Sequence, residues 1–540
     1  MQTAEALAKT LKKLGIRYIF GVPSGNWVDY MAAIGAVDGL DFVLVSNEAS
    51  GAFMADACWR ITGTPAACFA TFGPGACNLS TGVCCGFLDR SPMIALTDEM
   101  SASMLNRTSQ MNIDHQTLFR PITKWTTRLS PNNVQETLAT AFRIATSEVP
   151  GPVHIGLPAG IGTTEAPYEE AYHTGSPGKI PSPDTESLRK MEGLFKESRK
   201  PLVALGITAT RSSVRNITMA ILEKYKIPAI ETPMAKGMIP EDHPSYAGVL
   251  AHAFSDLVGE THQQADLIVA VGYDPVELNY EEWMPDVPLV HIDTVTADID
   301  TTCHGPVCDV VGNLRSSLER IFNSDCGEKD WDLDELAKRR HRMRERLSPS
   351  KDHFGPQMAL DLLREMLPSD GIMTCDVGAH LHLIGQHWRT PSPDCQLMTN
   401  GGSSMGYAIP AAIAAKLSCP ERQVCCVVGD GGFMMMAGEL ATAVRLGAKV
   451  VFVLLSDGNL SLIRIKQQKK GYARYGTALH RDRVDYKSGD SFFGVPIIGA
   501  RNTEEYKGAL TEAFEAEGPV VVEAFVDTGD YDDLILRGNR

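Results

Sequence analysis

Short apolar runs alternate with segments of helical periodicity along the whole sequence. This alternation is typical of parallel α/β sheets, in which a helix follows each strand and covers one face of the sheet. In the first third of the chain the pattern predicts two helices, at Ala4–Leu14 and Ala49–Trp59. It also predicts five strands: Tyr18–Phe20, Phe42–Val45, Ala66–Ala70, Met93–Thr97 and Val153–Leu157.

The same alternation recurs in two later blocks. The second block contains four apolar runs, at Leu202–Leu205, Ala229–Ile230, Leu267–Val271 and Leu289–Ile292. The third block contains four predicted strands, at Ile372–Thr374, Val424–Val428, Val450–Leu455 and Val520–Phe525. The repeated rhythm favours three similar α/β units over one large core.

Two segments of different composition separate these blocks. The stretch Thr174–Glu186 is rich in Pro, Ser and Gly, which predicts a linker. The stretch Glu328–Lys351 is highly charged, which predicts a solvated helical connector. We therefore predict an α/β chain with three domains, at residues 1–172, 188–325 and 354–540, each with a mostly parallel sheet flanked by helices.

The composition of the chain restricts which partners it can have and which cellular compartment it can occupy. The net charge of −16 argues against nucleic acid and anionic membrane surfaces as partners. No run approaches the roughly 20 apolar residues of a membrane span, and the N-terminus lacks the pattern of a secretory signal. The thirteen Cys show neither zinc-like nor secretory spacing, so we expect buried free thiols and a cytoplasmic location. An anionic substrate would need a local positive centre, which a metal or a cationic cofactor could supply.

The stretch from Gly429 to Asn459 carries the strongest chemical pattern. The strand Val424–Val428 ends at Gly429-Asp430-Gly431-Gly432, and a helix is predicted at Met434–Leu446. Glycines at such a turn let the backbone approach a phosphate at the helix N-terminus, and Asp430 adds an oxygen ligand for Mg²⁺. The next strand delivers Asp457 and Asn459 to the same sheet edge. The alternatives are turn and cap residues without a ligand, or a phosphate site without metal.

This segment resembles the signature of thiamine-diphosphate-dependent enzymes. In that family a Gly-Asp-Gly turn is followed, at this distance, by an Asn-Asn or similar pair, where this chain has Ser456-Asp457. The resemblance implies that Asp430, Asp457 and the Asn459 carbonyl bind Mg²⁺. It also implies that the glycine turn, including Gly429, Gly431 and Gly432, contacts the diphosphate of thiamine diphosphate.

The first block resembles the pyrimidine-binding domain of the same family. Ser46-Asn47-Glu48-Ala49-Ser50-Gly51 looks like the segment whose Glu hydrogen-bonds the aminopyrimidine ring, so Glu48 is the expected acid–base residue. The run from Gly73 to Asn78, Gly73-Pro74-Gly75-Ala76-Cys77-Asn78, resembles the block that turns beside the cofactor. Gly73 and Asn78 are therefore expected to contribute to the cofactor site, although much of this block could instead determine the fold.

A third region of the first block resembles the segment that supplies an active-site Gln in acetolactate synthases. Gln110 is the expected residue, but the register is open by one position, so Met111 could occupy it. His115, a few residues further on, is a candidate polar group, and a surface position in a loop is the preferred interpretation for it.

In the third block, two further segments resemble parts of the cofactor site. Asp376-Val377-Gly378-Ala379-His380 is similar to a segment that contacts the diphosphate, with His380 as a donor. Gly401-Gly402-Ser403-Ser404-Met405-Gly406 is similar to the stretch whose Met supports the bent cofactor, which Met405 would do here. The alternative for Met405 is ordinary core packing.

The resemblance covers nearly the whole chain and is strongest to the FAD-independent, catabolic type of acetolactate synthase. It implies two thiamine-diphosphate-binding folds with a Rossmann-like domain between them, and we expect no FAD. The implied reaction is decarboxylation of a pyruvate-like 2-oxo acid followed by carboligation to a second carbonyl. A decarboxylase that releases an aldehyde and a non-catalytic nucleotide-binding scaffold remain the alternatives. The family arrangement implies a homodimer or homotetramer, because the first domain of one subunit meets the third domain of another.

Overall fold

The computed structural model describes residues 1–173, 178–302, 305–479 and 485–534. Within them the strands form three sheets of six, six and seven strands. All the pairings are parallel except one between two strands at the edge of the third sheet. The predicted α/β class with three mostly parallel sheets flanked by helices is confirmed.

The first sheet is formed by residues near the N-terminus and has the strand order β2-β1-β3-β4-β6-β5. Its strands are β1 Tyr18–Gly21, β2 Asp41–Leu44, β3 Ala66–Ala70, β4 Met93–Glu99, β5 Trp125–Arg128 and β6 Val153–Pro158. Its helices are α1 Thr3–Lys13, α2 Val28–Gly35, α3 Glu48–Thr62, α4 Pro74–Leu88, α5 His115–Phe119 and α6 Val134–Thr146.

The central sheet has the strand order β12-β11-β10-β7-β8-β9, which reverses direction between β7 and β10. Its strands are β7 Pro201–Leu205, β8 Ala229–Glu231, β9 Tyr246–Val249, β10 Leu267–Val271, β11 Leu289–Asp293 and β12 Val307–Val311. Its helices are α7 Thr185–Glu197, α8 Ile207–Arg211, α9 Arg215–Tyr225, α10 Ser255–His262 and α11 Leu314–Phe322. The order is that of a Rossmann-like sheet, in which ligands bind at the reversal point.

At that reversal point the central sheet is closed by its own backbone. A Cβ atom on Gly206, at the end of β7, would lie 2.5 Å from the carbonyl oxygen of Gly272. The Thr208 N–H, at the start of the five-residue α8, donates to the same carbonyl at 3.0 Å. The two strand ends are therefore in direct backbone contact at the point where ligands of such sheets bind, and the Thr208 N–H is already engaged there.

The third sheet has the strand order β14-β13-β15-β16-β19-β18-β17, with β17 antiparallel to β18. Its strands are β13 Ile372–Cys375, β14 Gln396–Met398, β15 Val424–Gly429, β16 Val450–Ser456, β17 Ser491–Phe492, β18 Val495–Ala500 and β19 Val520–Phe525. A connector helix, α12 Leu333–Leu347, precedes it. The other helices are α13 Pro356–Met366, α14 Ala379–His387, α15 Ala408–Ser418, α16 Asp430–Met436, α17 Glu439–Arg445, α18 Ser461–Lys469 and α19 Thr503–Glu515.

The first and third domains pack through two helices that are apolar on most of their surfaces. Helix α3 lies between the first sheet and α15, and the Phe53 and Tyr407 rings meet edge to face at 5.7 Å. The Tyr407 hydroxyl donates to Asp56 at 2.6 Å. A helix that is apolar all round is stable only when it is buried, which explains why α3 and α15 show so little amphipathic pattern.

Several predictions differ from the structure in detail. The helix predicted at Met434–Leu446 is wrong: it is two helices, α16 and α17, which break at Ala437 and Gly438. The break lets Gly438 approach Ser46, to whose Cβ a Cβ on Gly438 would lie 3.3 Å away. Six of the described strands are not predicted by the sequence pattern: β5, β9, β12, β14, β17 and β18.

The predicted linker and thiols also need correction. Residues 174–177 of the linker lie outside the described residues, and its end belongs to α7, which Asp184 caps through the N–H groups of Glu186 and Ser187. Cys77 is exposed, and Cys84, Cys326 and Cys419 are partly exposed, so the expectation of buried thiols fails for these four. No helix among the described residues is both long and apolar enough to cross a bilayer.

Candidate active site

The carboxyl ends of β13, β15 and β16 meet at one edge of the third sheet and enclose a cavity of about 220 Å³. In the register of β15 and β16, Gly429 pairs with Leu455, so the residues that follow both strands reach the same edge. The lining includes eight of the residues singled out from the sequence, which are His380, Met405, Gly429, Asp430, Gly431, Gly432, Asp457 and Asn459.

Asp430 is the first residue of α16 and organises the loop after β16. Its Oδ1 accepts from the Ser456 hydroxyl at 2.8 Å, and its Oδ2 accepts from the N–H groups of Asp457 and Gly458 at 2.8 and 2.7 Å. A carboxylate that gathers backbone donors fixes the conformation of the loop. The structure therefore brings Asp430 and Asp457 together, as the sequence predicts.

Asp457 is buried beside that carboxylate. Its oxygens accept from the Asn459 N–H at 2.8 Å and from the Ser461 hydroxyl. The pKa of the Asp457 carboxyl is raised to about 6, mainly by burial and also by the nearby Asp430. The hydrogen bond from Ser461 lowers it and so limits the increase. Two neighbouring carboxylates in a buried position repel each other. A divalent cation between them would relieve this repulsion, so the donor set fits Mg²⁺.

The side chain of Asn459 is already engaged, which leaves its carbonyl as the ligand. Its amide donates to the Asp457 carbonyl at 2.8 Å, and its Oδ1 accepts from Arg474. No hydrogen bond to the Asn459 carbonyl oxygen is found within the described part of the chain. The predicted contribution of Asn459 through its backbone is compatible with this geometry.

His380 provides a buried nitrogen that faces the glycine turn. Its Nε2 has no hydrogen-bond partner among the described residues, and a Cβ on Gly429 would lie 3.2 Å from its Cε1. Burial lowers the pKa of His380 to about 4, so the ring is neutral at physiological pH. An unpaired polar atom in a buried position costs free energy unless a ligand meets it. His380 is thus suited to bind an oxygen of a phosphate group.

The glycines of the turn are required by close neighbours. A Cβ on Gly431 would lie 2.8 Å from the Met405 Cε, and one on Gly432 would lie 2.8 Å from the Asp376 carboxyl carbon. Met405 is partly exposed and lies over the turn, and so is not simply part of the core. The turn, Met405 and Asp376 therefore form a cradle that larger residues would fill.

Asp376 supports this cradle, a role that the sequence does not reveal because Asp376 stands there only as the first residue of the segment with His380. It is fully buried, and it accepts from the N–H groups of Val377, Gly406 and Ala408 at 2.7, 2.9 and 3.2 Å. It thereby fixes the loop that carries Met405. Its position after β13, at the ligand-binding edge of a parallel sheet, was the available signal.

Glu48 opens α3 and lies in a cluster within the first domain. The Asn78 amide donates to Glu48 Oε2 at 3.0 Å, and a Cβ on Gly75 would lie 3.2 Å from Glu48 Oε1. Gly73 has φ +48° and precedes the Pro74 that begins α4, as the predicted tight turn requires. Glu48, Gly73 and Asn78 are thus neighbours, but none of them lines the cavity of the third domain.

The loop that carries Gln110 covers the same turn. A Cβ on Gly73 would lie 2.7 Å from the Met111 carbonyl oxygen, whereas the Gln110 side chain is exposed. Within one chain, the Gln110 side chain therefore contacts neither the Glu48 cluster nor the cavity of the third domain. The choice between Gln110 and Met111 stays a prediction.

The preferred surface position for His115 is wrong. His115 is buried at the start of α5, and its Nε2 accepts from the Gly73 N–H at 3.2 Å. Burial lowers the pKa of His115 to about 4, so the ring is neutral and carries its proton on Nδ1. That proton is donated to Thr97 Oγ1 at 2.9 Å, and the Thr97 hydroxyl donates to His154 Nε2 at 2.8 Å.

The hydrogen bonds continue from His154 to Glu99, and the donor and acceptor of each bond are determined by the one before it. The neutral His154 donates from Nδ1 to Thr126 at 2.7 Å, and the Thr126 hydroxyl donates to the Gln116 carbonyl at 2.7 Å. The Gln116 amide and Arg128 both donate to Glu99 at 2.5 Å. Glu99, His115 and His154 have ligand atoms within 4.8 Å of one another. Because the ring nitrogens are already satisfied, the cluster is better explained as structural than as a metal site.

Three family models match the chain. Residues 1–118 match the N-terminal TPP binding domain of thiamine pyrophosphate enzymes, residues 188–321 match their central domain, and residues 376–524 match their C-terminal TPP binding domain. Together these matches cover more than half of the chain.

Curated relatives match over almost the full length. An acetolactate synthase of Bacillus subtilis is 29% identical, over 98% of this chain and 94% of that protein. A probable acetolactate synthase large subunit of Methanocaldococcus jannaschii is 28% identical, over 100% of this chain and 94% of that protein. An acetolactate synthase large subunit of Corynebacterium glutamicum is 28% identical, over 97% of this chain and 87% of that protein.

Proposed function

Because the chain belongs to the thiamine pyrophosphate enzyme family, we propose that it decarboxylates a pyruvate-like 2-oxo acid and joins the product to a second carbonyl. The names of its relatives, acetolactate synthases, are consistent with this reaction. The observation that carries the proposal is the pair Asp430 and Asp457 near His380, whose Nε2 has no hydrogen-bond partner among the described residues, at the binding edge of the third sheet.

We propose Mg²⁺ and thiamine diphosphate as the cofactors. Asp430, Asp457 and the Asn459 carbonyl would hold the metal, and the glycine turn with His380 would hold the diphosphate. When bound, thiamine diphosphate supplies the electron sink that 2-oxo acid decarboxylation requires. The residues of the chain then have to orient the substrates, exclude water and move protons.

Glu48 is the proposed acid–base residue. The Asn78 amide occupies its Oε2, and Oε1 points toward Gly75, which has no side chain. Glu48 would therefore hold and release a proton at Oε1. Such a carboxylate contributes typically about 10²–10⁴-fold to a rate.

We favour carboligation over release of an aldehyde because of the cavity's apolar wall. Leu460, Leu462 and Ile463 line it next to the metal position. The one hydroxyl between them, on Ser461, already donates to Asp457, so this wall would offer few protons for aldehyde release and would favour reaction with a second carbonyl compound. Gln110 would orient that second compound from a neighbouring subunit.

We propose a homodimer or homotetramer in which the two halves of the site come from different subunits. The cavity is lined by third-domain residues alone, whereas Glu48 and Asn78 lie elsewhere in the same chain. On α16, directly beside the cavity, Met434 and Met435 are 48% and 56% exposed. Adjacent apolar side chains with this exposure are typical of a contact surface.

We propose that the reaction does not use FAD, and that the protein acts in the cytoplasm. The closed reversal point of the central sheet supports the first part. At that point Gly206 and Gly272 are in backbone contact, and α8 is too short to offer a strong dipole.

The test is to incubate the purified protein with pyruvate, thiamine diphosphate and Mg²⁺ and to assay acetolactate and acetaldehyde together. We expect acetolactate as the main product. Acetaldehyde as the sole product would identify the simple decarboxylase instead. No turnover with any 2-oxo acid, despite cofactor binding, would identify the non-catalytic scaffold.

A further inference from the structure

A second, larger cavity lies away from the proposed active site. Its volume is about 880 Å³, and it lies where the central domain, the connector helix α12 and the third domain meet. The edge strand β9 forms one wall, α12 forms another, and the end of α14 forms the third. Ligand cavities for small molecules commonly occupy about 300–1,000 Å³ and occur at domain interfaces.

Three guanidinium groups at this cavity have no carboxylate partner within ion-pair distance among the described residues. Arg340 donates to the His243 carbonyl, Arg344 donates to the Glu241 carbonyl at 3.4 Å, and Arg389 is exposed at the rim. Burial lowers the pKa of Arg340, and its neighbour Arg344 lowers it further. The neighbouring Asp242 acts in the opposite direction and raises it.

Among the described residues, none of these arginines forms an ion pair with the three carboxylates that line the cavity, Glu241, Asp242 and Asp361. Glu241 accepts from Lys236 at 2.5 Å and from the Thr390 N–H at 3.0 Å. Asp361 lies 2.9 Å from His387. The arginines are therefore available to an anion that enters from solution.

Another part of the wall is apolar. Leu257, Leu336, Met343 and Leu347 contribute aliphatic side chains along α10 and α12. A cavity with arginines at one part and aliphatic side chains at another fits a ligand that is anionic at one end and apolar at the other.

We propose that this cavity binds an organic phosphate of nucleotide size, with the phosphate groups on Arg340, Arg344 and Arg389. A guanidinium binds phosphate oxygens in pairs, and three of them match a diphosphate better than a single carboxylate. The base and sugar would lie against the aliphatic wall.

The position of α14 links this cavity to the proposed active site. The helix begins beside His380, in the smaller cavity, and ends at His387, in the larger one, about 12 Å away at 1.5 Å per residue. Near its end, the Gln386 side chain bonds both the N–H and the carbonyl of Val249 on β9, at 3.2 and 2.7 Å. A ligand that moves β9 relative to α12 would therefore also move α14.

Binding is tested on the full chain saturated with thiamine diphosphate and Mg²⁺, so that the probe cannot occupy the cofactor site. ADP, pyrophosphate and adenosine are titrated by calorimetry at constant ionic strength. We expect ADP to bind, pyrophosphate to bind more weakly, and adenosine to bind at least about tenfold more weakly than ADP. Failure of ADP to bind, or equal binding of adenosine and ADP, would overturn the proposal.

The matched variants separate this cavity from general charge effects. Arg344→Gln with Arg389→Gln, both at exposed positions, should weaken ADP binding at least about tenfold. Arg342→Gln removes the same charge from α12 but does not line the cavity, and should leave the affinity unchanged. Arg340→Gln, with its melting temperature recorded, tests the third group. Equal losses in the Arg342 control and the double variant would contradict the proposal.

The link through α14 has its own measurement. If the two cavities are coupled, ADP changes the affinity for thiamine diphosphate by the same factor by which thiamine diphosphate changes the affinity for ADP. We expect a change of about fivefold or more in wild type, the lower end of typical coupling, and none in the double variant. An unchanged affinity in wild type would reject the link. None of these measurements requires turnover, so they remain decisive even if the proposed reaction is wrong.

Discussion

The two halves of the proposed site differ in how well their polar groups are satisfied. In the first domain, hydrogen bonds run without a break from the Gly73 N–H through His115 and His154 to Glu99. In the third domain, Asp457 has a raised pKa beside Asp430, and the Nε2 of His380 has no partner within the described residues. The first half is thus complete in the polypeptide, whereas the second is arranged for a ligand.

This difference indicates which domain should depend on bound ligands for its stability. A satisfied network stabilises its own conformation and gains little from a ligand. A buried pair of carboxylates and an unpaired imidazole nitrogen are costly until a cation and an anion bind. Cofactor removal should therefore loosen the third domain more than the first.

The largest expected effect comes from Glu48. Glu48→Gln should lower turnover by about 10²–10⁴-fold, because the amide cannot exchange a proton at the position of Oε1. Binding of thiamine diphosphate should remain within about twofold, since glutamine keeps the size and the hydrogen-bonding capacity of glutamate. The measurement is steady-state turnover together with cofactor titration. Glu136→Gln, an exposed acid in the first turn of α6, is the control and should retain full activity.

For Asp430 we expect the opposite of the Glu48 result, namely a loss of cofactor binding. Asp430→Asn should weaken the binding of Mg²⁺ and thiamine diphosphate by at least about 100-fold. This loss is larger than the one expected when a residue that only supports a metal ligand is replaced. Calorimetric titration measures this. Asp370→Asn, an exposed carboxylate at the other end of β13, should bind both normally. If Asp430→Asn binds the cofactors like wild type, the metal does not lie between these carboxylates.

The sequence predicted most of what the cofactor edge needs, because apolar strands and glycine turns are local patterns. Val520–Phe525 and Leu267–Val271 were predicted to the residue. Asp376 was missed because its role depends on N–H groups some thirty residues away, at Gly406 and Ala408. His115 was placed at the surface for the same reason: its partners, Gly73 and Thr97, are remote in sequence. Local patterns carry no information on such pairings.

A third experiment tests whether the first half is self-sufficient. His115→Leu leaves the Gly73 N–H without an acceptor and should lower the free energy of unfolding by about 2 kcal/mol. Denaturant unfolding of the protein without cofactors measures this. His341→Leu on the exposed face of α12 is the control. A change of less than about 0.5 kcal/mol, the usual scatter of surface substitutions, would show that the network contributes little.

The same histidine predicts a dependence on pH. Folding lowers the pKa of His115 from 6.5 to about 4, so the unfolded chain binds the proton more readily than the folded chain between these values. The stability from His115 is therefore complete above pH 6.5 and is lost as the pH falls toward 4, by up to about 1.4 kcal/mol per unit. Across this range, the free energy of unfolding should depend less steeply on pH in His115→Leu than in wild type. Equal slopes in both proteins would contradict a neutral, buried ring.

The smallest expected effect concerns the loop between the halves. Gln110→Ala should lower kcat/KM about fivefold, the value of one hydrogen bond of about 1 kcal/mol, whereas Met111→Ala should lower it less than twofold. Steady-state kinetics at saturating cofactor measures both. The reverse order would assign the active-site position to Met111.

The contact between Gly206 and Gly272 has a consequence for protein engineering. Side-chain substitution can reshape most pockets, but here the obstacle is a carbonyl oxygen that already binds the Thr208 N–H. Grafting the side chains of a flavin-binding protein onto the central domain would therefore leave this backbone contact in place. Opening the crevice at this point would require exchange of the two loops as backbone units.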